Sequence, residues 1–155
     1  RCGWSMQKLV QELLSGTTPQ RGLLCDRYVR GDDNLAMLEL LVRSLRAVVP
    51  SFALEVWTEG DAAALQAIGT ITGTKARPYR EVFQARPHDR YLLLGARGGV
   101  PFGWQMSNSP LDARKEPGPA PTPNSPLRWR DMTAVARGVD QLPVALATWL
   151  KEATR

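Results

Sequence analysis

One histidine, two cysteines and no run of five like charges: these shortages in a 155-residue chain narrow its chemistry before any motif is read. His88, Cys2 and Cys25 do not fall at zinc-ligand spacing, so no metal is expected, and no cofactor either. Two thiols cannot staple a domain of this size. With Cys25 inside a predicted buried strand, both are read as reduced and the protein as cytoplasmic. No apolar stretch approaches the roughly 20 residues that a membrane-spanning helix requires. The glycine-rich stretch from Gly95 to Gly103 lacks the Gly-Lys-Ser/Thr ending of a phosphate-binding loop, and a hairpin turn explains it. Neither Ser107 nor Ser109 sits in a Gly-x-Ser-x-Gly elbow, which argues against a serine hydrolase. The chain opens on Arg1 without signal-peptide character and is read as a fragment of a larger protein, with partner domains beyond it.

What is present leans toward polyanions. Twenty basic residues against fifteen acidic give a formal charge of +5 and a pI near 9.7, which favours nucleic acid first and anionic phospholipid second as partners. A hydrophobic content of 43% over this length supports one domain, residues 1–155, with a real core.

Periodicity predicts a helix over 5–15, a buried strand over 22–29, a turn and cap at Gly31-Asp32-Asp33, and a helix over 34–49 closed by Pro50. A strand over 51–58 follows, then a helix capped by Asp61 and running through Ile68, a polar loop over 70–78, and a strand over 79–85. The His88 strand comes next, then a turn at Gly98-Gly99 and a return strand over 103–108. Residues 114–126 hold five of the chain's twelve prolines and read as an extended surface loop, a connector or a docking segment. A last strand over 127–135 and a closing helix capped by Asp140 complete the chain. Strands separated by helices define an α/β fold: a mixed, mostly parallel sheet with helices on both faces and an antiparallel hairpin.

The segment Pro87-His88-Asp89-Arg90-Tyr91-Leu92 places the only imidazole two residues before a cation. Strand alternation would put His88 and Arg90 on one face and Asp89 on the other. Imidazole is the side chain suited to act as nucleophile or base near neutrality, and guanidinium fits two phosphate oxygens at once. A turn centred between Gly98 and Gly99 sets Arg90 opposite Ser107 and His88 opposite Ser109. A turn centred on Gly99 sets Asn108 opposite Arg90 instead. Asp26, at the end of the first strand, either orients His88 or forms a turn. Trp104 and Trp129 are core residues or, alternatively, platforms for stacking bases.

The strand, glycine-rich turn and Met106-Ser107-Asn108-Ser109 resemble the signature region of the phospholipase D superfamily, which carries His-x-Lys on one strand and Gly-Ser-x-Asn on the next. The upstream Leu24-Cys25-Asp26-Arg27-Tyr28-Val29, the helix at Asn34 and Leu54-Glu55-Val56-Trp57-Thr58 also fit. The chain is most similar to the divergent single-motif (His-x-Arg) branch, which includes the C-terminal domain of MIT-domain proteins and bacterial relatives. The resemblance covers about residues 20–112. It implies a phospholipase D-like half and a metal-independent phosphodiesterase or nuclease, in which His88 attacks phosphorus to form a phosphohistidine. Arg90 would then clamp the phosphate, and Ser107 and Ser109 would stand for the family's Ser and Asn, with Asn108 as neighbour. A single histidine implies that the general acid comes from a second copy, hence a homodimer. Four departures stand out: Arg90 replaces lysine, Gly95 occupies a position where aspartate is frequent, Met106 replaces glycine and Ser109 replaces asparagine. They bear on whether the chemistry survives, and two alternatives stand beside the nuclease, which is the first reading. One is an inactive module of this kind that binds nucleic acid or anionic lipid, and the other is a protein-docking domain of a multidomain assembly.

Overall fold

The computed structural model describes residues 3–155; Cys2, counted above, lies outside them. Ser5 caps α1 (Met6–Leu14), its hydroxyl accepting from the Lys8 N–H at 3.1 Å. Met6, Leu9, Val10, Leu13 and Leu14 fall at helical spacing and all are buried. Strands β1 (Arg21–Cys25) and β2 (Ala53–Thr58) flank the long helix α2 (Gly31–Val48). Helix α3 (Ala62–Gly69), capped by Asp61 accepting from the Ala64 N–H at 2.9 Å, leads to β3 (Thr74–Pro78). A one-turn helix α4 (Tyr79–Val82) precedes β4 (Arg90–Gly95) and β5 (Phe102–Met106). A small ribbon of β6 (Arg114–Lys115) and β7 (Leu127–Arg128) follows, then β8 (Ala134–Gly138) and α5 (Val144–Ala153).

Six strands form one mixed sheet in the order β3-β2-β1-β4-β5-β8. β1, β2 and β3 run parallel through the helical crossovers α2 and α3, while β4, β5 and β8 add antiparallel on the other side of β1. Alternation along the strands sends Leu24, Leu54, Val56, Leu92 and Met106 to one face, under α1, α2 and Ile68 of α3. Leu23, Cys25, Trp57, Tyr91 and Leu93 go to the other face, under Tyr79 and the α5 residues Leu146, Trp149 and Leu150. The α/β class, the mixed sheet covered on both faces and the antiparallel hairpin are as the sequence leads one to expect.

Several elements differ from the sequence reading, each for a physical reason. β1 stops at Cys25 because the next residue turns the chain: the Asp26 carboxylate accepts from the Tyr28 N–H at 3.1 Å. α2 starts at Gly31, so Asp32 and Asp33 lie in its first turn, where carboxylates suit the positive end of the helix dipole. Residues 74–78 form an edge strand, with Lys75 and Arg77 outward and the proline at its end. That pattern guards an edge and hides a strand signal. Residues 79–85 begin with a helical turn, because Tyr79, Val82 and Phe83, three and four apart, all pack on the second core.

The segment read as one strand over 127–135 is split between β7 and β8. Asp140 sits in a 3₁₀ turn (Val139–Gln141), and α5 starts only after Pro143, which tolerates a helix start but would break its interior. The proline-rich loop is fastened to the first helix. The Gln7 N–H donates to the Pro123 carbonyl at 2.9 Å, and Ser5 bridges to Pro126. β4 begins only at Arg90, so His88 lies in a bend before the strand rather than on it.

The hairpin register is a further correction. Arg90 pairs with Met106, not with Ser107 or Asn108. The connection runs over 96–101, and its Gly98 N–H is tied to the Thr154 carbonyl after α5 at 2.9 Å. A one-residue slip would carry Met106, fully buried against α2 and its neighbours, to the wrong face.

Candidate functional site

β1 is the strand at which the topology reverses: β2 and β3 lie on one side, and the later β4 and β5 on the other. In open α/β sheets, the crevice beyond the carboxyl end of the strands at such a switch point is the place where ligands bind. The ends of β1, β2 and β5 and the start of β4 converge there, and so do most of the residues singled out in the sequence.

Asp26 is the first residue past β1, with its side chain 2% exposed. Its Oδ1 lies 3.9 Å from Nε of Arg90. Burial pushes the Asp26 carboxyl up from its ordinary value. The Ser109 hydroxyl, the Tyr28 N–H and the Arg90 charge oppose that shift, and Asp112 adds to it. Arg90 keeps 23% of its side chain exposed and donates from Nη1 to the Ser107 carbonyl at 3.3 Å. The buried carboxylate lies behind the guanidinium as an ion partner, with no hydrogen bond reaching the buried Arg90 Nε, while part of the Arg90 side chain stays open to solvent.

Ser109 is buried and caps a 3₁₀ turn (Pro110–Asp112), its Oγ accepting from the Leu111 N–H at 3.0 Å. The Ser107 hydroxyl accepts from the Thr133 N–H at 2.8 Å, which pins β5 to the segment before β8. Asn108 points away and donates from Nδ2 to the Asp131 carbonyl. Asp26, Arg90, Ser107 and Ser109 therefore gather at one place; Asn108 does not join them.

His88 does not join them either. It is exposed, and its Nδ1 lies 3.3 Å from Nη1 of Arg27. The contact ties His88 to the Arg27 side of the crevice rather than to Arg90.

Sequence reading missed a second set of residues at the same end of the sheet. Glu59, after β2, accepts from Arg27 Nε at 3.0 Å, and its other oxygen forms an ion pair with Arg86 Nη1 at 2.6 Å. The Arg27 guanidinium holds Glu59 below the usual carboxylate range. Tyr28, 46% exposed, carries the guanidinium carbons of Arg27 and Arg30 at 5.4 and 5.3 Å from its ring centroid. Thr58 fixes this loop: its hydroxyl accepts from the Val29 N–H at 3.1 Å and donates to the Arg27 carbonyl at 3.2 Å. Arg27, Arg30, Arg86 and Arg90 thus gather around two carboxylates, Asp26 and Glu59. The signal was Asp26-Arg27-Tyr28-Val29-Arg30 directly after a buried run; what it lacked was any hint that the segments around Glu59 and Arg86 come to meet it.

The raised Asp26 pKa has a direct consequence for stability. A carboxyl whose folded value lies above its ordinary 3.8 favours the fold below that value and loses that contribution as pH rises through the raised one. Asp26→Asn keeps an oxygen acceptor for the Tyr28 N–H and removes the charge. We expect it to be more stable than the parent at about pH 8 and equal to it at about pH 3, judged by urea denaturation. An equal difference at both pH values would refute the assignment.

No family model matches this chain, and no curated protein matches it.

Proposed function

We propose that this chain is a phospholipase D-like binding module that grips the phosphodiester backbone of nucleic acid at the carboxyl end of its sheet and leaves the strand uncut. The observation that carries this reading is Arg90, which has the buried Asp26 as ion partner behind it, donates to the Ser107 carbonyl and keeps part of its side chain open. A preset guanidinium loses little freedom on closing around a phosphate, and charge-assisted bonds of this type are among the strongest that proteins make. The excess of guanidinium over carboxylate around it supplies the long-range attraction. The place of His88, in the bend before β4 beside Arg27 rather than beside Arg90, favours binding over cleavage.

A second reading, a metal-independent nuclease working through a phosphohistidine in a homodimer, is favoured by one observation: His88 is exposed, where a partner copy can reach it. One experiment separates the two. A labelled strand of about 20 nucleotides is titrated with parent and His88→Ala at several salt concentrations, and the same mixtures are examined for products in EDTA. The binding reading expects affinity that falls steeply with salt, near-equal affinity of the two proteins, and no product. EDTA-resistant cleavage that disappears in His88→Ala establishes the nuclease instead. Preference for vesicles of anionic phospholipid over the strand overturns nucleic acid as the partner.

A further inference from the structure

Beside the Arg90 site lies a concavity of about 720 Å³. Its wall is formed by Ser107 together with Leu127, Arg128, Trp129, Arg130 and Met132. Ser107 belongs to both places: its carbonyl accepts from Arg90, and its residue lines the hollow. We propose that this concavity receives an unpaired base of a nucleic acid strand whose phosphate is held at Arg90. The module then recognises single strands rather than duplex. This inference rests on the reading of Arg90 as a phosphate clamp.

Three observations carry it. The first is adjacency: a base hangs one sugar away from its phosphate, and the hollow begins at the residue that Arg90 touches. The second is the division of charge. The hollow has two arginines and two carboxylates on its wall, Arg128 and Arg130 with Glu116 and Asp131, and Arg128 is paired to Glu116 at 3.0 Å. Such a wall is close to neutral, suited to a polar, uncharged ring system and poorly suited to a second phosphate. The third is Trp129. Its Nε1–H is fastened to the Trp4 carbonyl at 2.7 Å, so the indole is held in place without a ligand, while the residue remains only partly buried. A rigid aromatic platform stacks any base, which gives affinity without sequence preference. The volume lies within the range of pockets that enclose small ligands. A base paired within a duplex is sheathed by its neighbours and cannot enter a concave wall.

The test compares three fluorescent probes of equal length by anisotropy: a mixed-sequence single strand, the same backbone with abasic residues throughout, and the duplex. The parent is expected to bind the single strand at least about tenfold more tightly than the abasic strand, an advantage of about 1.4 kcal/mol. The duplex should not exceed the abasic strand. Trp129→Leu should lower single-strand affinity to the abasic level and leave the abasic affinity unchanged, and Trp129→Phe should retain part of the preference. Equal affinity of the parent for base-bearing and abasic strands overturns the base subsite while leaving the phosphate clamp standing, and needs no variant. Loss of both affinities together in a folded Trp129→Leu also overturns it. Failure of every strand to bind overturns the clamp itself, and the base subsite with it.

Discussion

Replacing Arg90 with alanine is expected to weaken single-strand binding by about ten- to a hundredfold at low salt, the worth of one or two charge-assisted hydrogen bonds. The slope of log affinity against log salt should become shallower by about 0.7 for each phosphate that the protein no longer neutralises. Arg90→Lys keeps the charge and loses the planar fork, so it should recover only part of the affinity. A folding effect must be separated from this. Arg90 is one of the groups that oppose the upward shift of Asp26, and its removal strengthens that shift. The variant should therefore lose more stability at about pH 8 than at about pH 4, the direction required of a buried carboxylate deprived of its cation. The double variant Asp26→Asn/Arg90→Ala removes both charges. It should regain stability and remain deficient in binding. Full affinity in a folded Arg90→Ala protein would remove the clamp from any account of this molecule.

The second large effect concerns Gly95, at the end of β4. A Cβ built there would lie 2.5 Å from Ala153 Cβ and 3.0 Å from the Ala153 carbonyl oxygen, so α5 occupies the space that a side chain would need. Gly95→Ala should cost about 1–3 kcal/mol through forced separation of helix and sheet. Gly95→Asp adds a desolvated carboxylate and should exceed about 3 kcal/mol, enough to depress the melting temperature by roughly 6–12 °C. Gly95→Ala combined with Ala153→Gly moves the methyl from one side of the contact to the other and should return most of the loss. A Gly95→Ala melting curve that overlays the parent would show that α5 yields easily. With α5 seated here, no side chain has room at this position.

Legibility in the sequence followed the range of the forces involved. α1 and α3 could be read almost to the residue, because Ser5 and Asp61 cap their own helices and the apolar stripes are local. β2 was legible for the same reason, Phe52, Leu54 and Val56 alternating onto one face. β3 was not, because an edge strand with Lys75 and Arg77 outward has the composition of a loop. Within the site, Asp26, Arg90 and Ser109 could be picked out as polar residues where apolar runs end. Their grouping depends on strand order, which no local pattern encodes. The hairpin register failed by one residue because the contact that sets the loop, Gly98 to Thr154, comes from the far end of the chain. His88 was placed on a strand by its neighbours Tyr91-Leu92-Leu93-Leu94, but the ladder starts after it. Arg27, Glu59 and Arg86 stayed hidden because their meeting is long-range.

The stitching of the first described residues to β7 makes them part of the frame of the hollow. The Leu127 N–H and the Trp129 indole both donate to the Trp4 carbonyl, and Gly3 stands at the rim of the hollow beside them. Any change that shifts the Trp4 backbone therefore loosens β7 and the Trp129 indole together.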